Sequence, residues 1–184
     1  VEMINPENDN VHAVVIVPGR ELALQSQQVL AAVGAVRGMA CYGGRTAMEE
    51  HRALKQLRPQ VIFATPGRLN DHLAKGNISA DAVRLLIIDE FDKCLDMGFE
   101  NEMRTALASL PQVKRRVLLS ATNSPRIPLF VENAKLECID FVGEAEKVKQ
   151  RIAVYEVKSD SKDKLDTLHR LLLAFNGEST IVFL

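Results

Sequence analysis

The chain has 184 residues, 47% of them apolar and 26% charged. These are the proportions of a soluble globular domain (about 45–50% and about 25%), which excludes a disordered or collagen-like chain. Its 23 lysines and arginines against 24 aspartates and glutamates leave a net charge of −1, so nucleic-acid binding would have to come from local placement of charge.

Short apolar runs alternate with segments of helical period along the chain. Residues 11–17 read as a buried strand and 21–33 as a helix. Strand 39–42 and helix 47–57 follow, then strand 61–64 and helix 69–75. Strand 85–88 leads to helix 99–110, whose Phe99, Met103, Leu107 and Leu110 share one face. Residues 117–119 and 136–141 read as strands around a helix over 127–133. The charge-rich stretch 143–151 reads as an interdomain linker or a solvated loop. Strand 152–157, helix 163–175 (Leu165, Leu168, Leu172 and Phe175 on one face) and the apolar run 181–184 complete the chain. Strand–helix alternation at this spacing predicts an α/β fold with a doubly wound parallel sheet. No internal repeat or low-complexity tract interrupts it.

The apolar stretches, 13–17 and 85–88 among them, are far too short to span a bilayer, and no membrane partner is expected. No signal peptide opens the chain. Cys41, Cys94 and Cys138 lack zinc spacing and read as reduced thiols of a cytoplasmic protein. A start at Val1 and an end inside an apolar run predict a fragment of a longer protein.

Ligands of open parallel sheets sit beyond the carboxyl ends of the strands. Four strands end in polar sets: Pro18-Gly19-Arg20-Glu21, Thr65-Pro66-Gly67-Arg68, Asp89-Glu90-Phe91-Asp92 and Ser120-Ala121-Thr122. Adjacent carboxylates at Asp89 and Glu90 suit a magnesium and phosphate site, with Asp89 holding Mg²⁺ through water and Glu90 orienting or deprotonating a water. An acidic helix start is the plainer reading of that pair alone. Thr65 is a good N-cap with Pro66 in the first turn, so the free N–H groups and the Arg68 guanidinium suit a phosphate. Pro18-Gly19-Arg20 offers the same device. Gly43-Gly44-Arg45 lets a backbone approach beside a cation. Singly each is a turn; three on one sheet edge make a track for a sugar–phosphate backbone. His12, His51, His72 and His169 share no ligand spacing and read as surface or satisfied core histidines, and Cys94 as a small buried residue.

The ordered set resembles the DEAD-box RNA helicases. Pro18-Gly19-Arg20-Glu21-Leu22-Ala23 resembles their PTRELA motif, and Gly43-Gly44 their glycine doublet. Thr65-Pro66-Gly67-Arg68 matches TPGR, Asp89-Glu90-Phe91-Asp92 the DEAD box, and Ser120-Ala121-Thr122 the SAT motif. Leu95-Asp96-Met97-Gly98-Phe99 also follows the family pattern. The resemblance implies a RecA-like P-loop NTPase fold, truncated at its N-terminus. A partial first helicase domain would span 1–142, a linker 143–151 and the beginning of a second domain 152–184. It implies ATP and Mg²⁺ as cofactors, with Asp89 and Glu90 as the Mg·ATP carboxylates. Asp92 would interact with Ser120 and Thr122. Pro18, Gly19, Arg20, Gly43, Gly44, Thr65, Pro66, Gly67 and Arg68 would line single-stranded or duplex RNA through its backbone. Two positions depart: Gly19 stands where the family has Thr, and Phe91 where it has Ala.

None of the ten glycines precedes a lysine, so the chain holds no Gly-x-x-x-x-Gly-Lys-Ser/Thr phosphate loop. The expectation is a piece of an ATP-dependent RNA helicase whose partners are RNA, the phosphate loop and the second RecA-like domain of the same protein, and which alone hydrolyses no ATP. A non-catalytic RNA-binding module is the alternative; an unrelated α/β metal enzyme is a third reading. The family also has a central strand ahead of its phosphate loop. Residues 181–184 are a candidate to fill that slot, within one chain or by a swap between two; the competing outcome is a detached tail that continues toward the second domain, with the gap closed by other means.

Overall fold

The computed structural model describes residue 4 and residues 7–44, 46–122, 137–140, 153–159 and 163–183. The chain forms two compact units, Val1–Val142 and Gly143–Leu184. The first contains β1 (Ala13–Ile16), α1 (Arg20–Val33), β2 (Gly38–Cys41), α2 (Ala47–Leu57), β3 (Val61–Ala64), α3 (Pro66–Ala74), β4 (Leu85–Ile88), α4 (Phe91–Asp96), α5 (Glu100–Ala108) and β5 (Arg115–Leu118). Its five strands form one parallel sheet in the order β2-β3-β1-β4-β5.

The sheet is apolar on both faces because both are covered, as the near-continuous apolar strands require. Along β1, Val14 and Ile16 enter one core with Leu54 of α2, Leu69 of α3, Phe91 and Cys94 of α4 and Met103 of α5. Ala13, Val15 and Val17 enter the other, with Ala23 and Leu30 of α1. The period-two alternation of a strand thus feeds two separate cores. The sheet is doubly wound, as expected.

Helix ends follow local chemistry. Thr46 caps α2, its hydroxyl accepting the Glu49 N–H at 3.3 Å. Pro66 opens α3, where its missing N–H costs nothing. Gly34, at φ 76°, ends α1 in a conformation that a side chain would strain.

Two boundaries differ from the sequence expectation. The last sheet strand begins at Arg115 rather than 117, because an edge strand tolerates two exposed arginines that hydropathy reads as loop. The short helix α4 stands between β4 and α5; six residues are too few to show a helical period.

In the second unit α6 (Leu165–Ala174) lies within the expected helix 163–175, and none of its residues is buried. Residues 153–157 and 181–183 were expected as strands but carry no strand pairing. Ile181 and Phe183 are 81% and 92% exposed, with no strand partner among the described residues. Residues 137–140 form no strand either. The expected helix 127–133, the linker 143–151, Arg45 and Leu184 lie outside the described residues.

Candidate functional site at the carboxyl edge of the sheet

Strand register brings the motifs together. Cys41, Ala64, Ile16, Ile88 and Leu118 end their strands side by side across the sheet. The polar segments that follow therefore lie along one edge. From the β2 end they run Gly43-Gly44, Thr65–Arg68, Pro18–Arg20, Asp89-Glu90 and Ser120–Thr122. Backbone bonds continue the ladder past the strands. Thr65 N–H donates to Cys41 O at 3.1 Å, Val17 N–H to Ala64 O at 3.0 Å, Asp89 N–H to Ile16 O at 2.9 Å and Leu119 N–H to Ile88 O at 2.9 Å.

The acidic pair follows β4, next to the last strand of the sheet. Asp89 Oδ1 accepts the Glu90 N–H at 2.9 Å. Glu90 adopts left-handed backbone angles (φ 47°, ψ 49°), a conformation that costs a residue with a side chain on the order of 1 kcal/mol or more. The turn swings its side chain out of the strand line to the head of α4. There Lys93 Nζ donates to Glu90 Oε1 at 2.7 Å, and this contact raises the lysine's affinity for its proton. Phe91 behind them is 2% exposed and packs in the core, with its N–H on Leu119 O at 2.9 Å. The departure from the family's alanine is thus filled by core packing.

Asp92 meets the end of the last strand. Thr122 Oγ1 donates to Asp92 Oδ2 at 2.8 Å, and Ser120 Oγ donates to Thr122 O at 2.8 Å. Partial burial pushes the Asp92 carboxyl up, but bonds from Thr122, the Lys93 N–H and Ser120 outweigh it and hold the group below the usual carboxylate range. One hydrogen-bonded patch thus links the β4 turn to the β5 end.

The glycine and proline segments start helices or turns. Gly19 is the N-cap of α1 with no side-chain cap, Pro18 is buried and Arg20 is exposed. Thr65 is the N-cap of α3, but its hydroxyl makes no capping bond. Gly43 and Gly44 are exposed. Gly43, Thr65, Pro66, Gly67 and Arg68 line a groove of about 590 Å³ with Ala47, Asp71, Lys75 and Phe99. Lys75 Nζ pairs with Asp71 Oδ1 at 2.6 Å and, by that hydrogen bond, lowers the Asp71 carboxyl's affinity for its proton.

Arg68 is more deeply set than an exposed phosphate ligand. Its side chain is 14% exposed, with Nε 3.5 Å from Glu50 Oε2. His72 Nε2 lies 2.8 Å from the same oxygen, and Tyr42 N–H donates to Glu50 Oε1 at 3.1 Å. Sequence reading missed Glu50. The available signal was a carboxylate one helical turn before Leu54, on the stripe α2 buries. His72 is a satisfied core histidine, as expected. Among the described residues, Cys41, Glu50 and His72 offer donor atoms within 4.8 Å of one another. The carboxylate already has three donors, and burial pushes the Cys41 thiol up to about 12, so the trio is internally satisfied and thiolate-free. Burial pushes the Cys94 thiol up to about 12 as well.

The sheet order and two-sided helical cover define a doubly wound parallel α/β domain whose polar segments gather at the carboxyl edge. A model described as "DEAD/DEAH box helicase" matches residues 1–128, and the chain belongs to that family. It is 35% identical to the DEAD-box ATP-dependent RNA helicase CshA of Bacillus subtilis, over 100% of this chain and 38% of that protein. It is 36% identical to CshA of Geobacillus kaustophilus, over 100% of this chain and 40% of that protein. The chain thus spans well under half the length of these relatives. Among solved structures, a DEAD box protein from Methanococcus jannaschii has a TM-score of 0.60 and 31% identity, covering 66% of this chain and 33% of that one. DEAD-box helicase Mss116, bound to ssRNA and UDP-BeF, has a TM-score of 0.58 and 29% identity, covering 63% and 26%. No described helix is long and apolar enough to cross a membrane.

Proposed function

We propose that this chain is the RNA-gripping and water-positioning part of an ATP-dependent RNA helicase. The observation that carries the reading is the register of five strand ends, which sets all the family-like segments on one edge. On one side of that edge, Pro18, Gly19, Arg20, Gly43, Gly44, Thr65, Pro66, Gly67 and Arg68 form the track for a single-stranded RNA backbone. Backbone N–H groups at helix starts and a few cations suit phosphates and read no bases. Asp89 and Glu90 form the other side. Their hard carboxylate oxygens fit Mg²⁺, with Asp89 holding it through water. When bound, Mg·ATP supplies the phosphoryl group whose hydrolysis drives RNA remodelling. Glu90 is the base placed to orient a water, and Asp92 with Ser120 and Thr122 joins the nucleotide side to the last strand. The residues present fit magnesium but not the whole nucleotide, because they include no Gly-Lys-Ser/Thr cradle. The second RecA-like domain of the same protein is the natural partner across this edge. Free thiols at Cys41, Cys94 and the exposed Cys138 suit the cytoplasm.

Nucleotide turnover tests the reading. The chain by itself should hydrolyse no ATP. A protein carrying this chain together with a Gly-Lys-Thr phosphate loop should hydrolyse ATP faster with RNA, and Glu90→Gln should abolish that turnover. Turnover that survives Glu90→Gln would contradict the role given to Glu90. A longer protein that binds RNA without turnover would favour the non-catalytic reading.

A further inference from the structure

We propose that Glu50 is a positioning residue for RNA: its buried carboxylate couples the glycine turn after β2 to the start of α3 and sets the groove between them. The inference rests on the RNA reading of that groove. Glu50 is 2% exposed and does not line the groove, so its part is to hold other groups rather than to touch RNA. Its two oxygens reach two elements. Oε1 accepts the N–H of Tyr42, the residue directly before Gly43-Gly44. Oε2 meets Arg68 Nε at 3.5 Å and His72 Nε2 at 2.8 Å, which lie one turn apart on α3.

The histidine is held from behind. Asn77 Nδ2 lies 3.1 Å from His72 Nδ1. With the Asn77 amide donating to Nδ1, the ring proton sits on Nε2 and is donated to Glu50. The carboxylate thus has one donor on Oε1 and two facing Oε2, as a charge taken out of water requires.

Stability alone does not account for this arrangement. Buried ion pairs are often replaced by apolar residues of similar volume without loss of stability. An apolar residue at position 50 would fill the space between α2 and the sheet, but it would fix neither the Tyr42 N–H nor the α3 register. The carboxylate supplies direction. It orients the Arg68 stem, and it ties the helix start to a glycine turn that otherwise has few side chains to anchor it. Gly44, at φ 97°, occupies a conformation open mainly to glycine, so the turn gets its rigidity from what flanks it.

The test measures binding of a fluorescent oligouridylate by the chain, Glu50→Gln and Glu50→Ala at several salt concentrations, below each unfolding midpoint. Glu50→Gln keeps an acceptor for Tyr42 and should weaken binding by no more than about threefold, whereas Glu50→Ala should weaken it about tenfold or more. Every RNA phosphate that Glu50→Ala no longer neutralises should flatten the slope of log K against log salt by about 0.7. A folded Glu50→Ala that binds with the parent's affinity and slope would overturn the proposal.

If Glu50→Ala does not fold, backbone amide resonances of Glu50→Gln decide. Movement at both Gly44 and Gly67, on the two coupled elements, supports the coupling; movement at only one, or at neither, overturns it. If the parent chain binds no oligouridylate, the RNA reading of the groove fails and the positioning role falls with it. The amide shifts then report only whether the two elements are coupled.

Discussion

At the scale of single residues, the edge is defined by a few side chains in constrained places. Glu90 takes left-handed backbone angles and thereby leaves the strand line, while Phe91 next to it goes into the core. The sequence showed the acidic pair but not this division, because adjacent residues diverge only when the backbone turns between them. Phe91→Ala would restore the family's residue and leave a cavity. It should cost about 3–5 kcal/mol in urea unfolding, and a loss below about 1.5 kcal/mol would show that the site collapses around the smaller side chain. Asp92 carries a pH prediction. Its carboxyl lies below the ordinary range when folded, so its stabilising effect is present above the unfolded-state value near ~3.9 and is lost as pH falls through the folded value. Thr122→Val removes the donor of the 2.8 Å bond. An NMR titration of the Asp92 carboxyl should move upward in that variant; an unchanged titration would mean that Ser120 and the backbone N–H groups hold it down without Thr122.

At the scale of elements, strands were legible wherever both faces are buried, since such strands are apolar throughout. Residues 61–64 and 85–88 match β3 and β4 residue for residue, and the expected helix over 47–57 matches α2. Strand β5 was harder to bound, because half of an exposed edge strand is polar. The expected strands are unpaired at 153–157 and 181–183, because apolar composition records the tendency to pair, not a partner to pair with. Glu50 was missed because its place one turn before Leu54 marks it as inward-facing but does not say which distant donors a buried carboxylate would meet. The start of α1 gives the prediction at this scale. Gly19 is an N-cap at φ −150°, with nothing within 4 Å of where a Cβ would lie, and Thr and Gly cap about equally well. Gly19→Thr should therefore leave stability within ~0.5 kcal/mol. The same variant restores a hydroxyl able to reach a phosphate, so it should tighten RNA binding; weaker binding would remove Gly19 from the track.

At the scale of the whole molecule, a net charge of −1 makes electrostatic attraction to RNA a property of one edge rather than of the surface at large. Five parallel strands in register create that edge without any single strong site. In the proposed track Arg20 is exposed at a helix start, Arg68 is braced from below, and the other proposed phosphate donors are backbone N–H groups beside glycines. Such a surface should hold RNA weakly, without sequence preference and with marked salt dependence. It should also touch few phosphates, since the chain spans 38–40% of the two CshA helicases it resembles. The most direct measurement is the affinity of the chain and of Arg20→Ala for several unrelated single-stranded RNAs over a salt series. One common slope is expected for all sequences, flatter by about 0.7 in Arg20→Ala, with every RNA weakened alike. A slope near zero, or an Arg20→Ala variant that loses one sequence and keeps another, would contradict it.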